Sequence, residues 1–141
     1  MTVFFDTFAL VEFLAGNEET RKHGALGFVT TKWNLAELLV LDVRDFGEKT
    51  ANRNFRRLLG AAVREEDADL IAAARMKVSH AVRGRRFSFV DCLGFCVARR
   101  LKMRFVTGDE AFKGVPGVLF LMDVTSSRGT SAPRTSNVSS P

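Results

Sequence analysis

The chain has 141 residues, 46% of them hydrophobic, with 13 Phe, no Tyr, two Cys, two His and a formal net charge of +5. That length suits one domain burying about two-thirds of its unfolded surface, and no apolar run approaches the roughly 18–20 residues of a membrane span. Cys92 and Cys96 lie within one apolar segment, and neither they nor the distant His23 and His80 complete a metal-ligand set, so chemistry built on clustered Cys or His is hard to build here.

In chain order, residues 2–5 read as a short buried strand. The N-terminus enters this run without the basic flank or small-residue cleavage site of a secretory signal, so a cytoplasmic protein is expected. An amphipathic helix follows from Thr7 to about Ala15 and ends at Gly16-Asn17, and a polar stretch continues through Gly24. Gly27-Phe28-Val29 is a second strand. Thr30 or Thr31 can cap a helix to Phe46, where Gly47 stops it. A more polar helix is predicted over Lys49–Leu59, and another over Glu65–Val82 with Ala68, Leu70, Ile71, Ala74 and Val78 along its apolar side. Basic residues and a glycine at 83–86 read as a loop. Ser88 caps a helix to about Lys102, residues 103–106 form a strand, and Val118–Met122 another after the Lys113–Gly117 turn. Short apolar strands alternating with helices predict an α/β fold with a parallel sheet covered on both faces, whose ligands bind beyond the carboxyl ends of the strands. From Thr125 on, Ser, Thr, Pro and Arg dominate. Residues 125–141 are therefore expected to be a disordered tail on a domain of residues 1–124.

Four acids fall where such a fold has its ligand-binding edge. Asp6 follows the first strand, though an aspartate there is also a common N-cap. Glu37 shares a side of its helix with Arg44, away from Leu35, Leu39, Val43 and Phe46, and periodicity leaves both a solvent-facing and a cleft-lining role open. Asp91 opens a helix that is otherwise apolar from Phe89 to Ala98. It completes a capping box with Ser88, which still leaves carboxylate lone pairs for a cation. Asp109 ends Thr107-Gly108-Asp109, a tight turn in which Thr107 can support the loop or bind a water. Converging carboxylates repel unless a divalent cation neutralises them.

The basic residues cluster at Arg53, Arg56 and Arg57, at Arg83, Arg85 and Arg86, and at Arg99 and Arg100. Such surfaces attract polyanions or stay solvated, and charge alone does not choose.

Asp6-Thr7, Ala36-Glu37-Leu38, Ser88 to Asp91 and Thr107-Gly108-Asp109 through Phe112, in this order, resemble the PIN domain over residues 2 to about 122. The length is similar to that of the toxin halves of VapBC-type toxin–antitoxin pairs. The resemblance implies a single Rossmann-like domain and a Mg²⁺- or Mn²⁺-dependent endoribonuclease. Asp6, Glu37, Asp91 and Asp109 would be its metal-holding and catalytic acids, and Thr107 and Ser88 would support them. Cys92 departs from the small residue more usual after the third acid. Cations around the cleft, with Arg83, Arg85 and Arg86 as candidates, would hold the RNA backbone. The resemblance also implies an antitoxin partner, and the many Phe residues make a homodimer plausible. A non-catalytic RNA- or protein-binding module and a stand-alone RNA-processing nuclease are the alternatives. A haloacid-dehalogenase-type phosphatase is disfavoured, because Phe8 stands where its second Asp would be.

Overall fold

The computed structural model describes residues 1–82, 84 and 86–124. Strands β1 (Val3–Phe5), β2 (Phe28–Val29), β3 (Phe105–Thr107) and β4 (Val118–Phe120) form one sheet in the order β2-β1-β3-β4, every pairing parallel. Helices α1 (Thr7–Leu14), α2 (Glu18–His23), α3 (Lys32–Phe46), α4 (Glu48–Leu58), α5 (Asp67–Val82) and α6 (Phe89–Arg100) surround it.

Side chains alternate across a strand, and here that alternation sorts the core into two layers. Phe5 and Val106 pack with Leu10 and Val11 of α1 and Leu35 and Leu38 of α3. Phe4 and Phe105 point the other way, onto Leu93 and Phe95 of α6 with Phe87 and Phe112. Helices therefore cover both faces, as expected for an α/β fold. Gly94 lets α6 lie close on the sheet: a Cβ there would stand 3.0 Å from Phe4 and 3.3 Å from Phe105. At its far end, α6 is tied to α5 by Arg100, whose Nε donates to both carboxylate oxygens of buried Asp69 at 2.9 and 3.0 Å.

Several local expectations need correction. The polar stretch before Gly24 contains helix α2, capped by Asn17, which accepts from the Thr20 amide at 2.8 Å. Glu18 and Glu19 in its first turn and Arg21, Lys22 and His23 in its last complement the helix dipole, a signal that apolar periodicity misses. On α3, Val43 and Phe46 are exposed, and Asn34, Leu35, Leu38 and Asp42 form the buried face. On α5, Ala68, Ile71, Ala74 and Val78 of the expected apolar side are exposed and Leu70 is half-buried, whereas Asp69 and Ala73 are buried. In both helices a polar residue with an internal partner faces inward, and this rotates the buried stripe away from the one that apolarity predicts.

No helix among the described residues is long and apolar enough to cross a membrane. Residues 125–141, expected as a tail, lie outside the described residues.

Candidate active site at the sheet switch point

From β1 the chain crosses to β2 on one side and later returns to β3 on the other, so the topological switch point lies between β1 and β3. Asp6 directly follows β1, and Thr107 and Asp109 end and follow β3. The Asp6 amide donates to the carbonyl of Val106 at 3.3 Å, which ties the two strand ends together. Asp6 is 2% exposed and caps α1, accepting from the Ala9 amide at 2.8 Å. It also accepts a hydrogen bond from the Thr107 side chain. Thr107 in turn accepts from the Asp109 amide at 3.0 Å, and Asp109 Oδ1 accepts from the Ala111 amide at 3.0 Å. Gly108 between them has no room for a side chain, because a Cβ there would collide with the ring of Phe8.

Asp91 comes from the amino end of α6. The capping box is complete: the Asp91 amide donates to Ser88 Oγ at 3.0 Å, and Asp91 Oδ2 accepts from the Ser88 amide at 2.9 Å. Oδ1 takes no part in it. Glu37 is turned inward by a relay across two helices. Thr31 donates to Asn34 Oδ1 at 2.7 Å, Asn34 Nδ2 donates to Thr7 Oγ1 at 3.1 Å, and Thr7 donates to Glu37 Oε1 at 2.6 Å. The ambiguity left by the helix wheel is thus resolved toward the cleft.

The four acids act on one another. Burial raises the Asp6 carboxyl well above the usual carboxylate range, against its bonds from Thr107 and Ala9, and Asp91 and Asp109 push it further up. Burial also raises Glu37, opposed by the Thr7 bond and assisted by Asp91. Asp91 is raised by burial and by Asp109, while the Ser88 bonds and Lys77 lower it. Asp91 is therefore the hub, coupled to each of the other three. Among the described residues, no group of three His, Cys, Asp or Glu side chains is arranged to hold a metal ion. The carboxylates share a field without forming a ready-made cage. All their donor atoms are oxygens, the ligand type that a hard cation takes, and they are drawn from four separate segments.

Thr7, Asn34 and Lys77 were not singled out from the sequence. Thr7 was visible only as part of Asp6-Thr7, and nothing local links Asn34 or Lys77 to the acids. Lys77 donates to the carbonyl of Phe87 at 2.9 Å and, with Arg86 and Ser88, lines a hollow of about 570 Å³ beside the start of α6. Arg86 is exposed there, and Arg83 and Arg85 lie outside the described residues. Cys92 is buried next to Asp91, and burial pushes its thiol up to about 12, so it is an inert packing group.

Compared by sequence, the chain matches no protein-family model and no curated protein. Compared by structure, it is similar to VapC20 of Mycobacterium tuberculosis, described as a sarcin–ricin-loop-cleaving toxin. The TM-score is 0.69 at 21% identity, over 86% of this chain and 99% of that one. It is also similar to VapBC2 from Rickettsia felis bound to a promoter DNA fragment, with a TM-score of 0.65 at 14% identity over 86% and 98% of the two chains. A toxin–antitoxin complex from Klebsiella pneumoniae gives 0.63 at 16% identity, over 83% and 95%. At these identities the likeness is one of fold, and the fold is that of a VapC-like PIN domain.

Proposed function

We propose that this protein is an endoribonuclease that hydrolyses RNA phosphodiester bonds with Mg²⁺ or Mn²⁺, and that it is the toxin of a VapBC-type pair. The observation that carries the reading is the coupling of Asp6, Glu37 and Asp109 to Asp91 at the switch point of the sheet. Burial raises Asp6, Glu37 and Asp91, and neighbouring acids raise each of them further, which destabilises the free protein, so a structural role alone does not account for them.

Asp6, Asp91 and Asp109 would hold the cation, with Glu37 available to a second ion or to the attacking water. When bound, the cation supplies activation of water and stabilisation of the charge that builds on the phosphate. The chain's own residues do the rest. Thr107 orients Asp6 and the Asp109 backbone together, and Ser88 leaves Asp91 one oxygen for the ligand. Thr7 holds one oxygen of Glu37 and leaves the other outside that bond, and a raised carboxyl is suited to taking a proton. Lys77 and Arg86, at the adjoining hollow, are placed to neutralise a neighbouring phosphate of the strand. Such contacts position RNA without reading its bases.

The antitoxin assignment draws on neighbours described as toxin–antitoxin complexes. It is also supported by an exposed apolar stripe on α3, in which Trp33 is 41% exposed, Val40 69% and Val43 43%. Large apolar side chains exposed along one side of a helix suit protein contact.

The test is cleavage of a mixed cellular RNA pool by purified wild type and Asp91→Asn, each with Mg²⁺, Mn²⁺ or EDTA. Metal-dependent cutting by wild type alone is expected. Absence of cutting by folded, partner-free wild type would turn the reading toward a binding module.

A further inference from the structure

We propose that the outer face of α4 is a second docking surface for the phosphate backbone of the RNA, distinct from the acid cluster and contacted only by substrates long enough to span both. The proposal rests on the nuclease reading for the identity of the polyanion, but it is carried by observations on α4 itself.

Lys49, Arg53, Arg56 and Arg57 recur at spacings of three and four, which puts them on one side of the helix. The opposite side is fixed in the protein: Ala51 is 1% exposed, Leu58 is 6% exposed, and Phe55 packs against the core. All four cations are exposed, and with Asn52 they line an open hollow of about 540 Å³. None of them forms an ion pair among the described residues, whose salt bridges involve only His23, Arg44 and Arg100 as cations. The nearby acids of α3 are already engaged, Asp45 with Arg44 at 2.9 Å and Asp42 with the Asn54 amide group at 3.1 Å. Like charges at these spacings repel, so the array works against the helix that carries it. A polyanionic ligand relieves that repulsion, and three guanidinium forks on one face suit phosphate oxygens.

The charges, rather than the walls of the hollow, choose the ligand. Lys49, Asn52, Arg53, Arg56 and Arg57 line it with their methylene stems, and four of the five carry a positive head, whereas the centre of a protein interface is depleted in charged residues. Nucleic-acid backbone needs only cations and donors.

The placement follows from the α3–α4 hairpin. Gly47, at φ 90°, turns the chain, and the Asp42–Asn54 bond sets the register. Arg57 then lies near the level of Leu39, two residues beyond Glu37, and the basic face runs back toward the hairpin turn over roughly 12 Å. Packed helices stand about 8–10 Å apart. The outer face of α4 is a further helix radius of about 5 Å out, so its cations stand roughly 15 Å from the axis of α3, which carries Glu37. A strand of several nucleotides covers that span, and the one nucleotide that a trinucleotide leaves on either side of a reacting centre does not.

The test uses the full chain, a labelled single-stranded RNA long enough to cover both surfaces, and a labelled trinucleotide. Binding is read by fluorescence anisotropy in EDTA across a salt series, and cleavage with Mg²⁺ is read as separate kcat and KM. For the triple variant Arg53→Gln, Arg56→Gln and Arg57→Gln, shown to be folded by circular dichroism, long-RNA affinity should fall on the order of tenfold or more. The slope of log K against log salt should fall by about 2, at roughly 0.7 per lost phosphate contact. KM for the long RNA should rise with kcat unchanged, and trinucleotide binding and cleavage should stay as in wild type. An unchanged affinity and slope would overturn the proposal. So would an equal loss on neutralising Lys22, Lys102 and Arg104, because the effect would then be one of net charge. If wild type binds long RNA through α4 in EDTA but never cleaves with metal, the nuclease reading fails and the docking surface stands. If cleavage is metal-dependent and the triple variant is indistinguishable from wild type, the reverse holds.

Discussion

The acids at the switch point are held from every side, whereas the cations of α4 are held only through the helix that carries them. Asp6, Asp91 and Asp109 each accept a backbone amide and Glu37 accepts a hydroxyl, so each carboxylate has a fixed position before any ligand arrives. Lys49, Arg53, Arg56 and Arg57 project from a well-anchored helix with no ion-pair partner among the described residues. Preorganised charge suits a step in which atoms must be positioned closely, and loose, repeated charge suits attachment of a polymer whose sequence is not read. If this contrast is functional, damage at the two places should differ in kind as well as size.

The largest effect is expected at the hub. Asp91→Asn keeps an oxygen to accept the Ser88 amide, so the capping box and the fold should survive. The rate of RNA cleavage should fall on the order of 10²–10⁴-fold, seen in kcat rather than KM. The α4 variant should do the opposite. A variant of Asp91 with full kcat would remove the distinction between the two regions.

Arg100 provides a control on what a paired charge does in this fold. It binds Asp69 and Glu66 at the end of α6 far from Asp91 and has no route to substrate in the proposed mechanism. Arg100→Leu leaves Asp69 buried with its charge uncompensated except for the Glu66 amide, at a cost of about 3 kcal/mol in urea unfolding. The residual folded protein should cleave at the wild-type kcat. Loss of kcat without loss of stability would mean that α6 transmits strain to Asp91.

Gly108→Ala tests how tightly the acid edge is built. The new methyl group meets the Phe8 ring, and overpacking of this kind costs about 1–3 kcal/mol. The Thr107–Asp109 turn must shift to admit it, so activity should fall beyond what the stability loss explains. Urea unfolding and kcat measured on the same preparation separate the two effects.

The acid edge was largely legible in the sequence, because strand ends and caps are local features. Val3-Phe4-Phe5-Asp6, Ser88 to Asp91 and Thr107-Gly108-Asp109 each announce a strand or helix boundary, and a parallel sheet brings such boundaries to one edge. The orientation of Glu37 was not legible. It depends on Thr7, 30 residues away, and on Asn34 facing inward where apolar periodicity expects hydrophobic residues. Ile71 and Val78 were misassigned for the same reason. Asp69 satisfies its charge through Arg100, 31 residues on, and so takes a buried place that its polarity argues against. Pairings across the fold decide which side of a helix is inside, and a single sequence does not contain them as a pattern.

The smallest effect concerns the metal-free protein and has the sharpest sign. The Asp6 carboxyl is raised by burial, with Asp91 and Asp109 adding to it, so the folded state holds a proton that the unfolded chain gives up at lower pH. Below the ordinary aspartate range both states are protonated, and Asp6 costs the fold nothing. As pH rises above that range the unfolded state ionises first, and stability falls until the folded pKa is passed and the full penalty is present. Asp6→Asn retains an oxygen to cap α1 and removes the penalty. In EDTA the variant should therefore melt above wild type at neutral pH, and the gap should close as the solution is acidified toward the unfolded value. Mg²⁺ should reverse the order at neutral pH, because a cation bound only by the folded wild type stabilises it, and once the site is filled that stabilisation grows with the logarithm of the Mg²⁺ concentration. A variant that melts below wild type in EDTA at neutral pH would mean that the ionised Asp6 contributes more as a cap than it costs as a buried charge. The frustration invoked for the acid edge would then be absent.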